Sequence, residues 1–109
     1  MAIKGNLVID QGSDYQVTIN VENANSAPVS LSGYTANAQM RKHYTSLTAY
    51  NFNVEINSVL GMVTLSMSSN TTDVIPSGRY VYDCEITSNT GIRTRLLEGI
   101  VTITPQATR

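Results

Sequence analysis

A chain of 109 residues is the size of one domain, and folding buries roughly 65% of the surface of such a chain, enough for a core without disulfides or metal. Charged residues make up only 14% and the formal net charge is −1, so there is no basic excess to hold nucleic acid through its phosphates and no charged tail. Apolar runs are too short to span a membrane, the N-terminus lacks the blocks of a signal peptide, and the single Cys84 leaves no internal disulfide, as expected for a protein assembled inside a cell.

Alternation with a period of two runs through the chain and predicts strands near 3–9, 14–22, 29–31, 35–42, 50–57, 61–67, 79–87 and 93–104. After the first, Asp10-Gln11-Gly12-Ser13 is a turn. In the second, Tyr15, Val17, Ile19 and Val21 face inward while Gln16, Thr18 and Asn20 face water. Asn23 to Pro28 is a polar link, and Leu31-Ser32-Gly33-Tyr34 is a tight corner. Ala36, Ala38 and Met40 form a weaker inward row, followed by a loop over Lys42 to Ala49. Phe52, Val54 and Ile56 alternate with Asn53 and Glu55; Asn57 to Gly61 is a hairpin loop; Val63, Leu65 and Met67 alternate with Thr64 and Ser66. Ser69 to Pro76 reads as one turn of α- or 3₁₀-helix, closed by Pro76-Ser77-Gly78. Tyr80, Tyr82, Cys84 and Ile86 then face inward against Arg79, Asp83 and Glu85, and Ser88-Asn89-Thr90-Gly91 joins this strand to the last. No stretch has a helical period of any length, which excludes βαβ folds. Strands every 8–12 residues or so predict an all-β sandwich of seven or eight strands, one domain over 1–109.

Residues able to carry chemistry are few. A histidine-dependent nucleophile needs a base beside it, and the chain offers only His43, in a loop with Arg41 and Lys42. Cys84 falls on an inward row, the position of a packed thiol. One His and one Cys cannot make a structural zinc site. Asp10 and Asp14 flank a Gly-Ser turn and read as turn-forming and strand-entry residues rather than calcium ligands. Asp83 and Glu85, two apart on an outward face, have the spacing of a carboxylate pair, but cross-strand ion pairs with Arg79, Arg93 or Arg95 explain them as well. Asn70-Thr71-Thr72 matches a glycosylation sequon only by chance without a secretion signal. The expectation is therefore a non-enzymatic domain with no catalytic, cofactor or metal residues. Exposed aromatic residues beside polar loops would suit a glycan, and Tyr44, Tyr50 and His43 are the candidates for that alternative.

Three segments carry a family resemblance: Pro28-Val29-Ser30-Leu31-Ser32-Gly33-Tyr34-Thr35-Ala36 running into Gln39-Met40-Arg41-Lys42; Pro76-Ser77-Gly78-Arg79-Tyr80-Val81-Tyr82-Asp83; and Gly91-Ile92-Arg93-Thr94-Arg95-Leu96-Leu97-Glu98-Gly99-Ile100-Val101-Thr102-Ile103. This pattern, spanning about Asp14 to Thr104, resembles immunoglobulin-like phage virion domains, and is similar to the N-terminal domains of baseplate upper proteins and of tail-fibre proteins. The resemblance implies an immunoglobulin-like antiparallel sandwich in a virion, assembled in the host cytoplasm. It implies other virion structural proteins and further copies of the chain as partners, and no nucleic acid or membrane. Its motifs are turns and core positions: Gly33 turns the chain, Pro76 and Gly78 set a strand entry, and Gly99 marks a bulge or a close backbone approach. With no fibre or receptor-binding domain following, host recognition is not expected. Low charge leaves sheet edges open to pairing, so the outer strands, or the segments 1–9 and 102–109, are the expected contacts between subunits.

Overall fold

The computed structural model describes residues 3–21, 30–59 and 61–107. Among them are nine strands, β1 (Ile3–Lys4), β2 (Leu7–Asp10), β3 (Tyr15–Asn20), β4 (Thr35–Arg41), β5 (Tyr50–Asn51), β6 (Asn53–Asn57), β7 (Met62–Met67), β8 (Gly78–Thr87) and β9 (Arg93–Thr104), and one short helix, α1 (Ser69–Asp73). One sheet runs β1-β9-β8-β4-β5, with β2 also on β9; the other runs β3-β7-β6. An immunoglobulin sandwich divides its strands, lettered in chain order, between A-B-E-D and C-F-G. Here β3-β7-β6 takes the B-E-D order and β9-β8-β4 the G-F-C order, with β5 as an added strand beside β4. The inward rows meet between the layers: Ile9, Met40, Val63, Leu65, Tyr82, Cys84, Val101 and Ile103 are all at most 1% exposed.

Several expectations need correction. The sandwich is not wholly antiparallel, because β1 and β2 run parallel to β9, pairing Ile3 with Leu97 and Leu7 with Val101. The first expected strand is interrupted at Gly5-Asn6. There the Gly5 carbonyl turns inward to accept from the Tyr82 hydroxyl at 2.5 Å, and the Asn6 side chain accepts from Ile100 N–H at 3.1 Å. The strand expected over 50–57 breaks at Phe52, whose N–H donates to the Ala38 carbonyl at 3.0 Å as the chain leaves one sheet for the other. Ser30 and Leu31 are not in a strand, and Leu31 is instead a buried plug. Val29 and the link from Asn23 to Pro28 lie outside the described residues.

The alternative left open at Gly99 resolves to close approach. A Cβ there would sit 2.1 Å from the Gly5 carbonyl oxygen. The irregularity in the β8–β9 ladder falls earlier, opposite Cys84 and Glu85, where consecutive Leu96 and Leu97 are both buried. An extra residue in one strand lets two neighbours face the same side.

Tyr80 was expected only to fill the core. Its hydroxyl also donates to the Pro76 carbonyl at 2.6 Å. A tyrosine near the start of this strand, bonded a few residues upstream, is the tyrosine corner of immunoglobulin-type sandwiches. It ties the turn after α1 to β8. Tyr80→Phe is expected to lower the unfolding free energy by about 1–2 kcal/mol with an unchanged denaturant slope, as read from urea titration.

Candidate functional site

Of the residues that could carry chemistry, Cys84 lies on the inner side of β8, while Asp83 and Glu85 lie on its outer side. Cys84 is 0% exposed, and burial, reinforced by the nearby Asp83 and Glu85 carboxylates, pushes its thiol up to about 11. Burial likewise pushes the Tyr82 hydroxyl up to about 12, with smaller contributions from Tyr15 and Cys84. Both groups ionise at lower pH in the unfolded chain, near their ordinary values of 9.0 and 10.0. Between those values and the folded ones the unfolded chain holds fewer protons, so stability falls as pH rises. The urea midpoint is expected to hold steady below about pH 9 and to decline through pH 11–12. At pH 8 a thiol reagent should modify Cys84 only once urea unfolds the chain; rapid modification of the native protein would contradict this packing.

The aspartates at the first turn are structural. Asp10 accepts from the Thr104 hydroxyl at 2.7 Å, and Asp14 accepts from Ser69 N–H at 2.7 Å, tying the entry of β3 to α1. Ser68 caps that helix, its side chain accepting from Thr71 N–H. The sequon threonine, Thr72, is fully buried; its hydroxyl donates to the Ser13 and Ser69 carbonyls and accepts from Gly12 N–H. Thr72 therefore pins α1 to the β2–β3 turn, which accounts for a threonine at this position. Among the described residues no three of His, Cys, Asp and Glu gather as a metal site.

Asp83 and Glu85 lie on the outer face of the larger sheet, in a cleft of about 320 Å³ that also includes Gln39, Arg41, Tyr44 and Arg95. Arg95 approaches Asp83 and Glu98, each at 3.7 Å, so of the three expected cationic partners it is Arg95 that meets this acidic row. Burial raises the Asp83 carboxyl above its ordinary range, and Arg95 offsets part of that rise. Half-exposed pairs at this distance contribute little, about 0–1 kcal/mol.

Around the β4–β5 loop lies a second cleft, of about 550 Å³, lined by Lys42, Ser46, Leu47, Thr48, Tyr50, Pro76, Ser77 and Tyr80. Its floor is aromatic: Tyr50 meets Tyr80 edge-on with centroids 6.1 Å apart, and the Lys42 ammonium sits 5.0 Å from the Tyr80 centroid. The loop is anchored at its root, where the Arg41 guanidinium donates to the Ser46 carbonyl at 2.5 Å and Ser46 N–H donates to the His43 carbonyl at 2.9 Å. Leu47 stands fully exposed at the rim. Of the glycan candidates, Tyr44 lines the charged cleft and Tyr50 the apolar one, so their rings do not form one platform. The sequence reading passed over Leu47; an apolar residue inside a polar loop, Thr45-Ser46-Leu47-Thr48, was the available signal.

Other large apolar side chains lie in the open. Val8 and Ile100 share the outer face of the larger sheet beside its N-terminal edge, and Val59, Val74 and Ile92 occupy turns. Searches for related proteins add no family: no family model matches the chain, and no curated protein matches it.

Proposed function

We propose that this domain is a non-enzymatic structural module of a phage particle, docking or stabilising neighbouring proteins of a tail, baseplate, neck or capsid through oligomeric contacts. The observation that carries the reading is Leu47, fully exposed at the rim of a cleft floored by Tyr50 and Tyr80. Apolar surface of this kind gains free energy only when something covers it, at about 25 cal/mol per Å² removed from water. The resemblance of the turn and core motifs to immunoglobulin-like phage virion domains supports the same reading. So does the strand order, which leaves the terminal segments together at one sheet edge, with Val8 and Ile100 exposed there. Residues 1–2 and 108–109 of those segments lie outside the described residues.

Mass spectrometry of gradient-purified particles tests the proposal. The chain is expected in fixed proportion to the known structural proteins, and in the same position in a cryo-EM map of the particle. Particles complete without it would overturn the reading.

A further inference from the structure

β3 is an outer strand of the three-stranded sheet, and among the described residues only β7 pairs with it. Val21 N–H donates to the Gly61 carbonyl at 2.7 Å, extending the β3–β7 register by one residue. Backbone exchange alternates along an antiparallel pair. Tyr15, Val17, Ile19 and Val21 therefore direct their N–H and C=O groups to β7, and Gln16, Thr18 and Asn20 direct theirs to the open edge. The side chains of those three residues are exposed on the outer face.

Natural edges are usually blocked by lysine, proline, a bulge or an inward charge. β3 reads Tyr-Gln-Val-Thr-Ile-Asn, with no charge and no proline, and its pairing with β7 has no register shift. The surrounding face is also nearly free of charge. Across the sheet, Gln16, Ser66 and Asn53 form one row, Thr18, Thr64 and Glu55 the next, and Asn20, Met62 and Asn57 the third.

We infer that two copies of the chain pair antiparallel through β3 about a two-fold axis at Thr18, joining two three-stranded sheets into one of six strands. The edge is complementary to itself in this register. Thr18 lies opposite Thr18 of the second copy, and each Gln16 lies opposite an Asn20, so amide meets amide and no like charges face each other. All three residues, whose backbone groups have no strand partner among the described residues, fall on hydrogen-bonded positions of the new ladder. The inference rests on the proposed role through contacts between subunits, and names one of those contacts.

Sedimentation of the full chain over a wide concentration range is expected to show a monomer–dimer equilibrium. Thr18→Lys places two ammonium groups opposite each other and should weaken the dimer at least about tenfold. Thr18→Pro removes an N–H that β7 does not use, and should abolish the dimer while leaving the strand in place. Melting temperature and circular dichroism of both variants should stay close to the parent. Thr18→Cys places the two Cα atoms about 5.5 Å apart, within the roughly 4.4–6.8 Å a disulfide spans. It should form a covalent dimer on mild oxidation, whereas Thr64→Cys on the central strand should not. A strict monomer, a dimer indifferent to Thr18→Lys, or failure of Thr18→Cys to cross-link would each overturn the inference, including the case in which a strand of another protein takes the edge. Detection of the chain in particles bears on the proposed function alone, so the two can fail separately.

Discussion

Gly99→Ala is expected to destabilise the domain by about 3 kcal/mol, the upper end of the range for overpacked interiors. The reason is space and not conformation. The backbone φ of Gly99 is not among the positive values, yet an added Cβ would lie 2.1 Å from the Gly5 carbonyl oxygen and 2.8 Å from its carbon. Both are main-chain atoms, so no side-chain rotation relieves the contact. Moving the Gly5 segment away would also weaken the Gly5 N–H to Glu98 carbonyl bond at 2.9 Å and the Tyr82 hydroxyl bond to Gly5. For a domain with a total stability of about 5–15 kcal/mol, this is a large fraction. Gly91→Ala is the control: its φ is 91° and nothing lies within 4 Å of the added carbon, so only conformational strain of about 1–2 kcal/mol applies. Urea titration of both variants should rank Gly99→Ala well below Gly91→Ala; equal midpoints would show that the two N-terminal strand segments do not lie against β9 as described.

Tyr82→Ala is expected to cost about 4 kcal/mol, and Tyr82→Phe about 1–2 kcal/mol. Tyr82 is 1% exposed, stands at the centre of the larger sheet and meets Phe52 edge-on at 6.2 Å. Truncation empties the middle of the core. Loss of the hydroxyl alone leaves the Gly5 carbonyl without its inward donor, at the point where the pairing of β1 and β2 with β9 is interrupted. Because Gly99 and Tyr82 act on the same Gly5 carbonyl, the double variant Gly99→Ala/Tyr82→Phe should lose less than the sum of the two singles. Strict additivity would mean that the two residues do not share that group.

Both residues act on the N-terminal edge of the larger sheet, which the proposed role would use. β1 and β2 are held on β9 by a parallel ladder interrupted at Gly5-Asn6, with side-chain bonds from Tyr82 and Asn6 filling the gap. An edge secured in this way can present Val8 and Ile100 to a neighbour at a fixed position. Its cohesion is a property of the fold and can be measured without any partner.

Much of the candidate surface was legible before the structure in kind but not in place. Weak charge and abundant Ser, Thr and Asn pointed to weakly protected sheet edges, but only the topology shows that β3, with its Gln16, Thr18 and Asn20 row, is an outer strand among the described residues. Tyr44 and Tyr50 were grouped because they bracket one loop, but the loop returns with Tyr50 packed against Tyr80 and Tyr44 on the outer face. Nearness in sequence does not place two side chains on the same side of a sheet.

The inward rows of Val17 and Ile19, Val63 and Leu65, and Tyr80, Tyr82 and Cys84 followed from sequence alone, as did the turns at Gly33, Gly61 and Gly91, all three of which have positive φ. Alternation and turn conformation are local, set by the period of the pleat and the sterics of a single residue. The parallel docking of β1 and β2 on β9, the crossing between sheets at Phe52, the Tyr82–Gly5 bond and the demand for glycine at Gly99 were decided only by the tertiary structure. Each joins segments that are neighbours only after the chain has closed a long loop, and no local period encodes which distant backbone group will be met there.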